Sequence, residues 1–230
     1  MLQYKHLFID LDKTLWDFES NSVLALQELF TVFLSETGIP NFDCFHTYFK
    51  AYNHSLWQQY RFGEIDKEYL RVERFSGTLR NFGIQNEDLS LKLADEYIRI
   101  SPTKTKLYPN ALEVCEKLSR KYSLHILTNG FSEVQFVKMK NSGLSPFFKT
   151  IITSEMVGAQ KPSPLIFEFA LQKAFAEKKE TLMIGDDLEA DILGAKNMGI
   201  DQIYVNFEKK PHTENPSHEV NSLIEILEIL

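Results

Sequence analysis

His6-Leu7-Phe8-Ile9-Asp10-Leu11-Asp12-Lys13-Thr14-Leu15 is the stretch on which the reading of this chain turns. Three apolar residues, Leu7-Phe8-Ile9, run without interruption and deliver two carboxylates and then a threonine. A short continuous apolar run predicts a strand buried on both faces, the habit of parallel sheets. On an extended chain residues i and i+2 point to one side, so Asp10 and Asp12 are expected to emerge together where the strand ends. In open α/β sheets the carboxyl ends of strands are where ligands bind. Acidic residues also end strands without any chemical role, so this segment does not decide alone.

The whole chain has 230 residues, 43% of them hydrophobic and 25% charged, enough to bury the core of one domain with an insertion or of two small domains. No run approaches the ~18 apolar residues of a membrane span. No signal-peptide pattern precedes the first strand, and a cytoplasmic protein is expected. Cys44 and Cys115 lie too far apart for a metal-binding spacing. Both are expected as buried apolar thiols in a reducing compartment, without a disulfide. The formal charge of −7 argues against a nucleic-acid polymer as partner, since such partners need a basic footprint. A small phosphate ester is compatible with it, because a bound divalent metal reverses the local sign.

Downstream of Leu15 the pattern becomes helical. Val23, Leu26, Phe30 and Phe33 keep helical spacing up to Gly38 and Pro40. Phe42, Phe45, Phe49, Tyr52 and Leu56 continue it to Gly63. Asp66 is a candidate cap for a third helix ending at Gly83, and Asp88 for a fourth ending at Pro102. Beyond Tyr108-Pro109, helices alternate with the strands Ser123–Thr128, Thr150–Thr153, Thr181–Ile184 and Gln202–Val205. Ser132 is a candidate cap for the helix after the second strand, and a closing helix is expected at Leu223, Ile224 and Leu227. Alternation of this kind predicts an α/β fold, a Rossmann-like parallel sheet core with helices on both faces. The core is expected to comprise residues 1–15 and 102–230, with a four-helix cap domain, residues 16–101, inserted after strand one.

In a parallel sheet the polar strand ends fall along one edge. Asp10 and Asp12 end the first strand, Thr128-Asn129-Gly130 the second, and Gly185-Asp186-Asp187 the fourth, with Asp191 following. Lys161 follows the third within Gly158-Ala159-Gln160-Lys161-Pro162. Each has a plain alternative: Thr128 could merely end a strand, Lys161 could be a solvated loop cation, and Asp186-Asp187 could cap the next helix. Their convergence is what argues for a site. Clustered carboxylates repel, and a cation joining them relieves the cost. The oxygen-rich donor set suits Mg²⁺, and no Cys/His spacing suits zinc.

This ordered set resembles the haloacid dehalogenase superfamily, whose motifs lie at these strand ends. Asp10, Asp12 and Thr14 match D-x-D-x-T, and Thr128 matches the strand-terminal Ser or Thr. Lys161 matches the lysine, in a K-P-x-P context, and Gly185, Asp186, Asp187 and Asp191 match G-D-D or G-D-x-x-x-D. The helical insertion matches the family's type-one cap. The resemblance implies phosphoryl transfer, because Asp12 stands where carbon–halogen-cleaving members differ. It implies Asp10 as nucleophile, forming an aspartyl-phosphate, and Asp12 as general acid and base. It implies Mg²⁺ held by Asp10, Asp186 and the Asp12 backbone carbonyl, with Asp187, Asp191 and Thr14 in support. Thr128, Asn129 and Lys161 would bind the phosphoryl oxygens.

The insertion is aromatic-rich, holding both tryptophans and 16 of the chain's 29 aromatic residues. Core filling explains such density, and an aromatic surface for a substrate base is the sharper alternative. Trp16, just after the nucleophile, is the candidate specificity residue, followed by Asp17, Phe18 and Asn21. The wording Thr14-Leu15-Trp16-Asp17-Phe18 also resembles the subgroup of cytosolic pyrimidine 5′-nucleotidases. Arg61, Arg71 and Arg74 read as solvated helix-face cations without a role. The expected activity is hydrolysis of a small phosphate monoester, foremost a nucleoside monophosphate. The alternatives are a sugar-phosphate phosphatase or mutase and, in another class, a receiver-like signalling domain.

Overall fold

In the computed structural model, which describes residues 4–230, the quoted stretch forms the central strand β1 (His6–Ile9). The sheet adds β2 (Ser123–Thr128), β3 (Phe148–Thr153), β4 (Thr181–Gly185), β5 (Asp201–Val205) and β6 (His218–Val220). Its order is β3-β2-β1-β4-β5-β6 and every pairing is parallel. The order reverses beside β1, and such a switch point is where α/β sheets open a ligand crevice. β6 went unread in the sequence because three residues with one buried side chain, Val220, carry no usable period.

The strands are apolar on both faces because both faces are covered. Leu7 and Ile9 of β1 pack with Leu124, Ile126, Leu182 and Ile184 against the helix α5 (Ala111–Ser119). Phe8 points the other way, to Leu127, Ile152 and Met183, under α8 (Pro164–Ala174). Between these lie α6 (Ser132–Asn141) and the single turn α7 (Ser154–Val157). After β4 comes a π-helical turn, Leu188–Leu193, continued by α9 (Gly194–Asn197). The expected closing helix is shorter than its apolar period, a 3₁₀ turn at Leu223–Glu225 followed by α10 (Ile226–Ile229).

The chain divides into two compact units. One comprises the chain up to Phe18 together with Thr105–Leu230, and the other is Glu19–Lys104. These boundaries fall three residues later at each end than those expected from the sequence. The inserted unit carries α1 (Phe18–Leu29, entered at its first residue from the core), α2 (Phe42–Arg61), α3 (Lys67–Asn81) and α4 (Glu87–Ile100). Its aromatics fill its own core: Phe49 lies 5.1 Å from Phe75, and Phe75 lies 5.7 Å from Tyr97. Aromatic pairs at such centroid distances contribute about 0.5–1.5 kcal/mol beyond area burial.

Several local readings are corrected. Asp66 does cap α3, accepting from the Tyr69 amide at 2.7 Å, but α4 is capped by Asn86, which accepts from Leu89 at 2.9 Å. Asp88 stands inside the first turn. Ser132 is not a cap; its hydroxyl pairs with Thr153 Oγ1 at 2.6 Å. Cys44 is exposed rather than buried, on the first turn of α2, whereas Cys115 is buried and its thiol is pushed up to about 12 by desolvation. Arg71 pairs with Glu68 and Asp95, while Arg74 is buried with its guanidinium 4.6 Å from the Tyr97 ring centre, not solvated. Among the described residues no helix is long and apolar enough to cross a membrane.

The cap assignment is tested by urea denaturation. Asn86→Ala should destabilise the helical unit by about 1 kcal/mol, the typical cost of a lost side-chain cap. Asp88→Ala should cost less, since it loses only a charge near the helix start. The opposite ranking would return the cap to Asp88.

Candidate active site

Register brings the polar strand ends together. Ile9 pairs with Ile126 on one side and Ile184 on the other, so Asp10 lies level with Leu127 and Gly185. The ladder continues one step past β1, the Asp10 amide donating to Ile184 O at 2.9 Å. The chain then turns tightly: Leu15 and Trp16 amides both donate to Leu11 O, at 3.0 and 2.8 Å. Lys13 sits at φ 68°, in the left-handed region. That conformation costs an ordinary residue of order 1–3 kcal/mol and persists where surrounding structure imposes it, here in the loop between Asp12 and Thr14.

Lys161 occupies the centre of the cluster and is 1% exposed. Its ammonium donates to Asp10 Oδ1, Asp191 Oδ1 and Leu127 O, each at 2.6 Å. An ammonium has three donors, and these three bonds use them all. Lys161 thus holds the Asp10 carboxylate, and the phosphoryl contact expected of it requires exchange of one of these bonds. The loop carrying it is clamped by Asn129, whose Oδ1 accepts from the Lys161 amide at 2.8 Å and whose Nδ2 donates to Lys161 O at 2.9 Å. This side-chain role for Asn129 was not read from the sequence.

Asp186 stands beside this group. Thr14 Oγ1 donates to Asp186 Oδ1 at 2.9 Å and lies 3.5 Å from Asp10 Oδ2, tying the first loop to the end of β4. Asp191 Oδ2 accepts from the Asp187 amide at 3.1 Å. Gly185 makes room for it, because a Cβ there would lie 2.2 Å from Asp191 Oδ2. Asp187 caps the following turn, accepting from the amides of Glu189 and Ala190 at 3.0 and 2.9 Å.

Electrostatically the cluster is short of positive charge. Burial alone would lower the Lys161 ammonium, but Asp10 and Asp191 outweigh it and hold the proton more firmly than in an ordinary lysine. Burial raises Asp10 well above the usual carboxylate range against the pull of Lys161, and the charges of Asp191 and Asp186 add to the rise. Asp186 is pushed up to about 7 by burial first and by Asp191 next. Oxygens of Asp10, Asp186 and Asp191 all lie within 4.8 Å of one another, a grouping that could hold a metal ion. Three carboxylates facing one ammonium favour a further cation, and an all-oxygen donor set fits a hard divalent one. Asp191 has both oxygens committed to Lys161 and the Asp187 amide, which makes Asp10 and Asp186 the better direct ligands.

Asp12 belongs to a second cluster. Lys138 Nζ donates to its Oδ1 at 2.5 Å and Gln135 Nε2 to its Oδ2 at 2.7 Å. The same Gln135 nitrogen donates to Thr128 Oγ1 at 3.0 Å, and the Gly130 amide also donates to Thr128 Oγ1 at 3.1 Å. With two bonds accepted, the Thr128 hydroxyl keeps its own proton to donate. Neither Gln135 nor Lys138 was singled out from the sequence. Their signal is the i, i+3 spacing on the helix after Thr128, which places them on one helix face.

Trp16 does not occupy the place expected of it. It is 1% exposed, packed within the sheet unit, and its ring already lies under the Lys138 ammonium, 4.1 Å from the ring centre. A buried ring under an ammonium is no platform for a substrate base, so Trp16 is not the specificity residue expected from the sequence.

Comparison with known proteins agrees with this geometry. Residues 4–199 match the haloacid dehalogenase-like hydrolase family model. The chain is 36% identical to the pyrimidine 5′-nucleotidase PynA of Streptococcus pneumoniae, covering 99% of this chain and 95% of that one. It is 29% identical to the pyrimidine 5′-nucleotidase YjjG of Escherichia coli, over 100% and 99% of the two chains. The crystal structure of the HAD-hydrolase YfnB of Bacillus subtilis bound to magnesium superposes with a TM-score of 0.89 at 31% identity, covering 99% and 98%.

Replacing Lys161 tests the central ion cluster. Lys161→Met should leave two buried carboxylates without their counter-charge and cost about 3–5 kcal/mol of stability by urea unfolding. A loss under 1 kcal/mol would show that the cluster is not held by this ammonium.

Proposed function

Because the chain belongs to the haloacid dehalogenase-like hydrolases and is a phosphoric monoester hydrolase, we propose that it hydrolyses pyrimidine nucleoside 5′-monophosphates. The proposed reaction is Mg²⁺-dependent and passes through an aspartyl-phosphate on Asp10. The observation that carries the reading is the Asp10 carboxylate, with one oxygen fixed by Lys161 and the other beside Thr14, at the switch point of the sheet. The names of PynA and YjjG support the choice of ester.

In the first step an Asp10 oxygen attacks phosphorus and the bond to the nucleoside oxygen breaks. Asp12 gives its proton to that leaving oxygen. In the second step Asp12 takes a proton from water as the water oxygen attacks phosphorus. The bond between Asp10 and phosphorus breaks, inorganic phosphate leaves, and both aspartates are restored. The Thr128 hydroxyl and the Asn129 backbone are placed to donate to phosphoryl oxygens, and Lys161 to hold charge near the nucleophile. Magnesium would be held by Asp10, Asp186 and the Asp12 main-chain carbonyl, with Asp187, Asp191 and Thr14 orienting them. When bound it would neutralise phosphoryl charge that Lys161 leaves uncompensated. Membership in a hydrolase family sets the receiver-like alternative aside.

Phosphate release from uridine monophosphate should fall by roughly 10³-fold or more in Asp10→Asn, the usual scale for losing a nucleophile. More than a few per cent of wild-type turnover in a pure preparation would refute the nucleophile. Chelation should abolish turnover and Mg²⁺ restore it, and Mg²⁺ should raise the Tm of the wild type but not of Asp186→Asn. Across pyrimidine nucleotides, purine nucleotides and sugar phosphates, kcat/KM should be highest for the first group. A sugar phosphate turned over faster than any nucleotide would leave the phosphatase and remove the nucleotidase.

A further inference from the structure

Asp12 is gripped at both oxygens by side chains of α6, and one of them is a buried cation. Lys138 is 3% exposed, lies 2.5 Å from Asp12 Oδ1, and stands over the Trp16 ring at 4.1 Å and the Phe18 ring at 5.8 Å. Burying an ammonium is costly unless it is paired, and here the pairing is with a carboxylate on one side and an aromatic face on another. Gln135 completes the grip. Its Nε2 hydrogens reach Asp12 Oδ2 and Thr128 Oγ1, while its Oε1 is buried without a hydrogen-bond partner. Flipping the amide would aim that oxygen at a carboxylate, so the acid fixes the amide orientation. Gly130 is needed for this approach, since a Cβ there would lie 1.7 Å from Gln135 Nε2.

We propose that Lys138, backed by the Trp16 ring, is the positioning residue for the proton-transferring aspartate, holding the Asp12 carboxyl together with Gln135 at the geometry that serves the leaving oxygen. The two lysines then divide the work. Lys161 bridges Asp10 and Asp191, and Lys138 orients Asp12 from outside that cluster. A carboxyl that must give and later regain a proton gains from a fixed orientation, because misplacement by even an ångström can cost about 10² in rate. Trp16 belongs to the same device: it backs the ammonium and prevents Lys138 from turning away from Asp12.

This inference rests on the reading of Asp12 as proton donor, and the experiment separates the two. Full-length wild type, Lys138→Met and Lys138→Gln are compared with Mg²⁺ present, on uridine monophosphate and on p-nitrophenyl phosphate. Thermal melting confirms which variant is folded, and the glutamine variant keeps a hydrogen-bond donor without the charge. The parameter read is kcat/KM, which reports the steps up to phosphoenzyme formation. A nucleoside alkoxide needs the proton to leave, whereas p-nitrophenolate leaves well without it. The nucleotide value should therefore drop about 10²-fold, and the p-nitrophenyl phosphate value less than about 10-fold. Equal losses on both esters would overturn the proposal in favour of a packing role, as would no loss on either. Failure of the Asp12 reading shows separately, as wild type and Asp12→Asn turning over uridine monophosphate alike.

Discussion

The buried ammonium of Lys161 is the interaction on which the site depends. It joins Asp10 at the end of β1, Asp191 in the turn after β4 and the Leu127 carbonyl at the end of β2. No two of these groups are neighbours in sequence, and two of them carry negative charge. Without a cation among them, burial would drive their protons on and Asp10 would be lost as an anion. Lys161 can stand there because Asn129 clamps its backbone from both sides. A residue at the second strand end thus fixes a residue after the third.

The backbone does the remaining positioning. Parallel pairing in register puts Asp10, Leu127 and Gly185 at one level, so the loops that follow start from a common edge. A π-helical turn at Leu188–Leu193 then carries Asp191 back to Lys161 and to the Asp187 amide. Single π turns inside or beside helices recur at functional sites because the extra residue re-aims a side chain. The left-handed Lys13 does comparable work in the first loop, and Thr14 closes it onto Asp186. The left-handed turn at Lys13 is supported by a sheet in which Leu7, Phe8 and Ile9 of the central strand are buried.

Two lysines pair with three acids in the site without crossing over. Lys161 pairs with Asp10 and Asp191, and Lys138 pairs with Asp12. That separation lets Asp12 keep its own partner, while Asp10, Asp186 and Asp191 form a grouping that could hold a metal ion. The helical unit presents a different economy. Its many rings pack on one another, with Phe49, Phe75 and Tyr97 in mutual contact, so aromatic density there serves stability first.

The amino-acid sequence by itself determined the parallel α/β core and the identity of the chemical groups. Strand periodicity is local, and a parallel sheet must place strand ends on one edge, so Asp10, Thr128, Lys161 and Asp186 could be named before any contact was known. Asp66 as a cap was legible for the same reason, since a cap bonds within its own turn. What the sequence left open was pairing. Asp12 and Lys138 are far apart along the chain, and only the docking of α6 against the first loop brings them to 2.5 Å. Trp16 follows the same rule: it lies close to Asp10 and Asp12 in sequence, but the chain turns at Lys13 and buries its ring beneath Lys138. The short strand β6 and the π turn at Leu188–Leu193 have too few residues to show a period, and their place follows from the neighbours they pair with. Local hydrogen bonding and side-chain alternation are written in consecutive residues, whereas which charge meets which is set by helix docking over long separations, and only the tertiary structure decides it.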